Sequence, residues 1–117
     1  MSDAELSELS VADVLPIGIC IEGVRYRKFR LRAGTLRDSI RAAEALAEEG
    51  IDTTEATSNQ LRYATIAQKL DIENLGRQLT LDEMLDMSDR DTLIIEKADD
   101  EIEKKLDALS ESLPQSA

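Results

Sequence analysis

The sequence predicts an α+β fold, in which an N-terminal β-hairpin packs against three to four α-helices. Apolar residues alternate early in the chain, as is typical of strands. Further along, apolar residues recur every three or four positions, as is typical of amphipathic helices. Aromatic residues make up only 3% of the 117 residues, so the core must come mainly from aliphatic side chains. These features favour helices around a small sheet over a β-sandwich.

The hairpin is predicted over residues 15–32. Its first strand has an apolar residue at every second position, and Glu22-Gly23 suits a two-residue turn. The apolar alternation of the second strand changes phase between Tyr26 and Phe29. We therefore predict a β-bulge at Arg27-Lys28, where one extra residue restores the phase. The predicted pairs, all on one apolar face, are Ile21 with Val24, Ile19 with Tyr26, Ile17 with Phe29, and Leu15 with Leu31.

Helices are predicted over residues 36–49, 58–70, 81–86 and 89–110, and with the hairpin they form a single domain over residues 14–110. The first of these helices has a capping box formed by Thr35 and Asp38, and Gly50 ends it. Its predicted inward stripe is Leu36, Ile40, Ala43, Leu46 and Ala47. The stripe of the final helix is Ile95, Ala98, Ile102, Leu106 and Leu109, with Leu113 just beyond. Residues 1–13, which are acidic, and residues 111–117 are predicted to be flexible tails.

Charge is distributed unevenly along the chain, whose net charge is −11. Residues 25–41 carry seven basic side chains and one acidic one, whereas residues 42–117 carry seven basic and 19 acidic ones. In the predicted hairpin, Arg25, Arg30 and Arg32 lie on the face opposite the apolar one. Because like charges repel, the overall acidity disfavours binding to nucleic acid or to an anionic membrane.

The residue types that most catalytic and metal sites need are missing. The chain has no histidine and a single cysteine, Cys20, so an internal disulfide, a zinc site and an imidazole base are excluded. We interpret Cys20 as a small buried residue of a strand. Acidic pairs such as Asp99-Asp100 lack the ligand order and the central glycine of a calcium-binding loop. We therefore predict no catalytic residue, metal ligand or cofactor, and favour a binding protein over an enzyme.

No run of about 18 apolar residues is present, so no membrane span is predicted. The N-terminus also lacks the basic and then apolar pattern of a secretory signal. We therefore expect the protein in the cytoplasm.

Two surfaces are candidates for binding a protein partner, namely the hairpin and the final helix. The candidate residues are Tyr26, Phe29, Arg30, Arg32, Ile95, Ile102, Leu106 and Leu109. Each surface also has a structural interpretation: the basic hairpin face is a solvated sheet face, and the final helix packs on the hairpin within one chain. An open strand edge or the final helix also leaves room for a homo-oligomer.

The order of motifs resembles the tail assembly chaperone family of Mu-like phages over roughly residues 14–100. The resemblance begins where Leu15-Pro16-Ile17 enters the hairpin and Glu22-Gly23 turns it. The later matching segments are Leu31-Arg32-Ala33-Gly34-Thr35-Leu36-Arg37-Asp38, Ala42-Ala43-Glu44, Thr80-Leu81, Met84-Leu85-Asp86-Met87, Asp89 and Asp91.

The resemblance implies a viral or prophage chaperone that binds the long helical tape-measure protein and keeps it soluble during tail assembly. Such a protein acts in the cytoplasm of the bacterial host and is absent from the mature virion. Two other classes stay open. One is an acidic nucleic-acid mimic that inhibits a DNA-binding protein, although the basic residues 25–41 would interrupt a uniformly acidic surface. The other is a small adaptor or regulatory subunit that binds a folded protein.

Overall fold

A computed structural model describes residues 9–112, which form three strands and four helices. The elements are β1 (Ser10–Ile21), β2 (Val24–Arg32), α1 (Leu36–Glu48), α2 (Ser58–Lys69), β3 (Leu70–Ile72), α3 (Leu81–Leu85) and α4 (Asp89–Ser112). The strands form one antiparallel sheet in the order β1-β2-β3. The predicted α+β class is confirmed, with an N-terminal hairpin and four helices. The four predicted helices agree with α1 to α4 to within two residues at each end.

The hairpin is longer than predicted, because β1 begins at Ser10 and pairs from there with Arg32. Residues 10–13, which were predicted to belong to a tail, are therefore part of the sheet. Leu9 of that predicted tail is also described and is half-buried, whereas residues 1–8 lie outside the described residues. At the other end, α4 continues to Ser112, so it overlaps the predicted tail of residues 111–117. Residues 113–117 of that tail, including the Leu113 of the predicted stripe, lie outside the described residues.

The predicted bulge on β2 is wrong, because the irregularity lies on β1. Ile19 pairs with Tyr26 and Ile21 with Val24, as predicted, but Val14 pairs with Lys28. Residues 15–18, called the β1 bulge below, therefore lie opposite a single residue of β2. Beyond the bulge, Phe29 pairs with Asp13 and Leu31 with Val11 instead of the predicted Ile17 and Leu15. Ile17, which was predicted to be on the apolar face, is 46% exposed.

The β1 bulge is stabilised by polar groups that lie far away in the sequence. The fully buried carboxylate of Asp91, near the start of α4, accepts hydrogen bonds from the backbone N–H of Ile17 at 2.8 Å and of Gly18 at 2.9 Å. On the opposite side, Arg27 Nε donates to the Leu15 carbonyl at 3.0 Å, and Arg25 Nε donates to the Ile17 carbonyl at 2.6 Å. These contacts provide hydrogen-bond partners for backbone groups that have none within the sheet. The bulge can therefore depart from regular strand pairing with little loss of free energy.

A short third strand, β3, was not predicted. It follows α2 directly and pairs with Phe29–Leu31 of β2. Leu70 and Ile72 are buried while Asp71 between them is exposed. This alternation suits a strand with one face on the core, whereas residue 70 was predicted to end a helix and residues 71–79 were given no helix or strand. On its other side β2 pairs with β1, which is an edge strand of the sheet.

The main core lies between the sheet and α4. The buried side chains of α4 are Ile95, Ala98 and Ile102, and they belong to the same core as Leu15 and Phe29 of the sheet. Leu106, one helical turn later, is partly buried against the same cluster. The predicted inward stripe of the final helix is therefore confirmed at these positions.

A second, smaller core joins α1 to α2 and α3 through Ala42, Leu46, Ala64 and Leu81. The predicted inward stripe of α1 is wrong at most of its positions. Leu36 is 76% exposed and Ile40 is 52% exposed. The helix is rotated instead so that Asp38, Ala42 and Leu46, spaced four residues apart, face inward.

Candidate protein-binding surface

Three of the eight candidate residues lie in the core. Phe29, Ile95 and Ile102 are all buried, so their side chains stabilise the domain and are not available on its surface. The structural interpretation of the final helix therefore holds for Ile95 and Ile102. We do not assign these three residues to a partner-binding surface.

The other five candidates are only partly available. Tyr26 and Leu106 are half-buried against the main core, and Leu109 is half-buried near the end of α4. Arg30 is exposed and donates a hydrogen bond to Ser10 Oγ at 2.9 Å. Arg32 is used within the chain, as described next. The structure thus does not bring the eight residues together into one open surface.

Arg32 fixes the position of α1. Its guanidinium donates two hydrogen bonds, each 2.8 Å long, to the two carboxylate oxygens of Asp38. It also donates to the Gln68 carbonyl of α2 at 3.0 Å. Asp38 in turn accepts a bond from the backbone N–H of Thr35 at 2.8 Å, as the predicted capping box requires. The Arg32 guanidinium holds the pKa of Asp38 below its ordinary value, because hydrogen bonds and positive charge favour the ionised carboxyl.

The rotation that buries Asp38 exposes an apolar surface on the other side of α1. We call this surface the α1 stripe, and it consists of Leu36, Ile40, Ala43 and Ala47. At 3.6 residues per turn these four positions fall within about 60° of the helix circumference. Leu36, Ile40 and Ala47 are exposed, and Ala43 is half-buried. Because a carboxylate and two helix neighbours hold α1 in place, the stripe is presented on a rigid support.

The surroundings of the α1 stripe differ between its two ends. A shallow cavity of about 830 Å³ lies beside Leu36 and Ile40 and is also lined by Arg37 and Arg41. A second cavity, of about 580 Å³, lies at the other end and is lined by Ala43, Glu44, Ala47, Gly50, Ile51, Asp52 and Thr53. Glu44 lines both cavities, so the two ends differ in their other charged residues: Arg37 and Arg41 lie at the end with large apolar residues, and Asp52 lies at the end with small ones.

The free part of the β2 edge is a second open surface. β3 covers only Phe29–Leu31 of that edge, and a cavity of about 290 Å³ lies next to it, lined by Val24, Arg25, Tyr26, Arg27, Lys28, Glu73 and Asn74. Arg25 and Arg27 are committed to the carbonyls of the β1 bulge. This edge is therefore less open to a partner than the α1 stripe.

Part of the acidic surface of α4 is neutralised by α2. Arg62 pairs with Glu96, Asp99 and Asp100, each at 3.3 Å. The buried Lys69 also pairs with Asp99, at 2.9 Å. These contacts hold α2 against α4 and leave fewer free carboxylates along the first half of α4 than its sequence indicates.

No three His, Cys, Asp or Glu side chains are grouped as metal ligands within the part of the chain that the structure describes. Cys20 is exposed on β1, so its interpretation as a buried residue is wrong. The side chains of β1 alternate, and residue 20 follows the buried Ile19. Between residues 9 and 112, no helix has the length and hydropathy needed to cross a membrane.

Comparisons of the chain with protein-family models, with curated proteins and with solved structures found no match.

Proposed function

We propose that this protein is a phage tail assembly chaperone that binds the tape-measure protein in the host cytoplasm and keeps it soluble until the tail is assembled. The observation that carries the proposal is the exposed α1 stripe, with Leu36 and Ile40 as its large side chains. An exposed apolar patch with charged side chains along its border is typical of a protein-binding site.

The client is inferred from the resemblance in the order of motifs, and the α1 stripe supports it in chemical terms. A long helical protein exposes apolar stripes before it is assembled, and such a stripe can pack against another helix that presents Leu and Ile at a spacing of four. The net charge of −11 would keep a complex with an apolar client in solution. This role needs no reacting group, so the exposed Cys20 takes no part in it.

A nucleic-acid mimic is less well supported. Such a mimic needs a continuous row of free carboxylates, and Arg62 and Lys69 pair with Glu96, Asp99 and Asp100 in the first half of α4. An adaptor for a folded protein would use the same apolar surface, and the experiment below separates it from a chaperone.

The test is co-expression with the tape-measure protein encoded in the same genome. We expect the wild-type chain to raise the soluble fraction of the tape-measure protein and to co-purify with it. The double variant Leu36→Asp/Ile40→Asp should lose both effects, because it places charges in the centre of the apolar contact. The matched control is Leu93→Asp, since Leu93 is equally apolar and 64% exposed but lies on α4.

The proposal fails if the wild-type chain neither co-purifies with the tape-measure protein nor increases its solubility. An adaptor for a folded protein would give the same negative result with the tape-measure protein. Equal losses in the stripe variant and in Leu93→Asp would contradict the assignment of the site to α1.

A further inference from the structure

We propose that a second copy of this chain binds the α1 stripe, with the two α1 helices packed antiparallel about a two-fold axis. The inference goes beyond the proposed function and does not depend on it, because it needs only the surface of this chain.

The sizes of the side chains in the α1 stripe are self-complementary. The large residues Leu36 and Ile40 occupy its N-terminal half, and the small residues Ala43 and Ala47 occupy its C-terminal half. In a two-fold interface every contact between two different residues occurs twice. If one residue of the first copy contacts a second residue in the other copy, the same two residues also meet with the copies exchanged. An antiparallel pair places Leu36 against Ala47 of the second copy, and Ile40 against Ala43. Large residues then oppose small ones along the whole contact, as close packing requires.

The shape of the surface agrees with this arrangement. The shallow, open cavity of about 580 Å³ lies at the alanine end of the α1 stripe and is also lined by Gly50 and Ile51. Leu36 of the second copy would enter this cavity. A parallel pair would instead place Leu36 against Leu36 and leave the alanine ends facing each other across a void.

The charges beside the α1 stripe select the same orientation. Arg37, Arg41, Glu44 and Glu48 are all exposed, and at 100° per residue they lie together on one flank of the stripe. About a two-fold axis, this flank meets its own copy in the reverse direction. Arg41 then lies opposite Glu44 of the second copy, and Arg37 lies opposite Glu48. In a parallel two-fold pair this charged flank would instead face the opposite flank of the second copy, so the Arg–Glu pairs form only in the antiparallel arrangement, which electrostatics therefore favour.

The interface is small, so the dimer is weak. The 13 residues of α1 span about 20 Å, and a contact between two helices of this length is at the lower end of specific interfaces. We therefore expect a dimer that forms with rising concentration and dissociates on dilution. A client that binds the same stripe would compete with the second copy.

The test is sedimentation velocity of the purified chain over a wide range of concentrations. Arg41→Glu places a carboxylate opposite Glu44 of the second copy, twice in each dimer, and Glu44→Arg places two guanidinium groups opposite each other in the same way. Each variant alone should dimerise about tenfold more weakly than the wild type. An equimolar mixture of the two variants should associate again, because every pair across the axis then has opposite charges.

Arg90→Glu is the matched control, because it makes the same change in net charge at an exposed position of α4. It should dimerise like the wild type. The inference is overturned if the wild type stays monomeric at every concentration. It is also overturned if the two variants self-associate as well as the wild type, or if their mixture shows no recovery.

Discussion

At the scale of single residues, buried carboxylates determine how two segments of the chain are positioned. Asp38 receives two hydrogen bonds from Arg32 and one from Thr35 N–H. Asp91 receives two from the backbone of the β1 bulge. Within the described residues no buried side-chain nitrogen or oxygen is left without a hydrogen-bond partner. Both oxygens of each carboxylate thus have a hydrogen-bond partner, which offsets the free-energy cost of burying them.

Asp38 makes stability depend on pH. Its pKa is lowered in the folded state, chiefly by the hydrogen bonds from Arg32, so its contribution is fully present above the unfolded-state pKa of about 3.9. It is lost as the pH falls through the lower, folded-state value. We expect Asp38→Asn to reduce the free energy of unfolding by about 2 kcal/mol at pH 7.

The measurement is urea unfolding of wild type and Asp38→Asn between pH 7 and pH 2. The difference between the two proteins should begin to shrink as the pH falls below about 4, because residue 38 of the wild type is then protonated in the unfolded state, and it should vanish once the folded-state carboxyl is protonated as well. The control is Asp107→Asn, which removes an exposed carboxylate of α4 and should change stability little at any pH. A difference for Asp38→Asn that stays constant over the whole range would contradict the assigned role of the ion pair.

Gly18 is required by the β1 bulge for two reasons. Its φ is +91°, and a Cβ there would lie 2.9 Å from the Tyr26 carbonyl oxygen and from Arg27 Cγ. Gly23, in the hairpin turn, also has a positive φ of +81°, but a Cβ there would meet nothing within 4 Å. We expect Gly23→Ala to cost about 1 kcal/mol from backbone strain alone, and Gly18→Ala about 3 kcal/mol from strain and overpacking together. Equal losses in urea unfolding would show that the close contacts at Gly18 do not matter.

At the scale of secondary-structure elements, the sequence predicts what depends on neighbouring residues. The turn at Glu22-Gly23, the capping box of α1 and the stripe of α4 all follow from residues within a few positions of each other, and the structure has all three. The β1 bulge could not be located in this way, because it depends on Asp91, more than 70 residues from Ile17 and Gly18. The phase change in β2 indicated an irregularity, but it could not show which strand contains the extra residues.

The rotation of α1 was predicted incorrectly for a similar reason. The sequence offers two overlapping apolar faces on this helix, one with Leu36 and Ile40 and one with Ala42 and Leu46. The larger residues of the first face favoured it in the sequence analysis. The ion pair between Arg32 and Asp38 selects the second, since Asp38 lies on the same face as Ala42. A charged residue at the N-terminal end of an otherwise apolar face, with an arginine six positions earlier, was the available signal.

Two substitutions in α1 test its rotation. Leu46 is fully buried, so Leu46→Ala should reduce the free energy of unfolding by about 3 kcal/mol. Leu36→Ala should change it by less than about 0.5 kcal/mol, because Leu36 is exposed in the monomer. Thermal unfolding of dilute protein, where any dimer has dissociated, is the measurement. The reverse order of the two effects would show that α1 faces the core as the sequence analysis predicted.

At the scale of the whole molecule, the fold buries the apolar residues of the two surfaces that the sequence indicated, the hairpin and the final helix, and exposes a third surface, the α1 stripe. The apolar side of the hairpin and the stripe of α4 cover each other, so Phe29, Ile95 and Ile102 are buried between them. The α1 stripe remains outside, next to Arg37 and Arg41 of the basic segment. Sequence patterns indicated the kind of residue that could bind a partner, namely aliphatic residues at helical spacing. They could not show which stripe the fold would use for its own core, because that depends on how the helices compete for the sheet.

The proposed client-binding site can be tested by hydroxyl-radical footprinting of the chain mixed with the tape-measure protein. Free chain, at a dilution at which sedimentation shows it to be monomeric, serves as the reference. Leu36 and Ile40 should be modified much more slowly in the complex, while Leu93 on α4 should keep its rate in the free chain. Unchanged modification of Leu36 and Ile40, together with protection of Val14 and Ile17 on β1, would contradict the assignment of client binding to the outer face of α1.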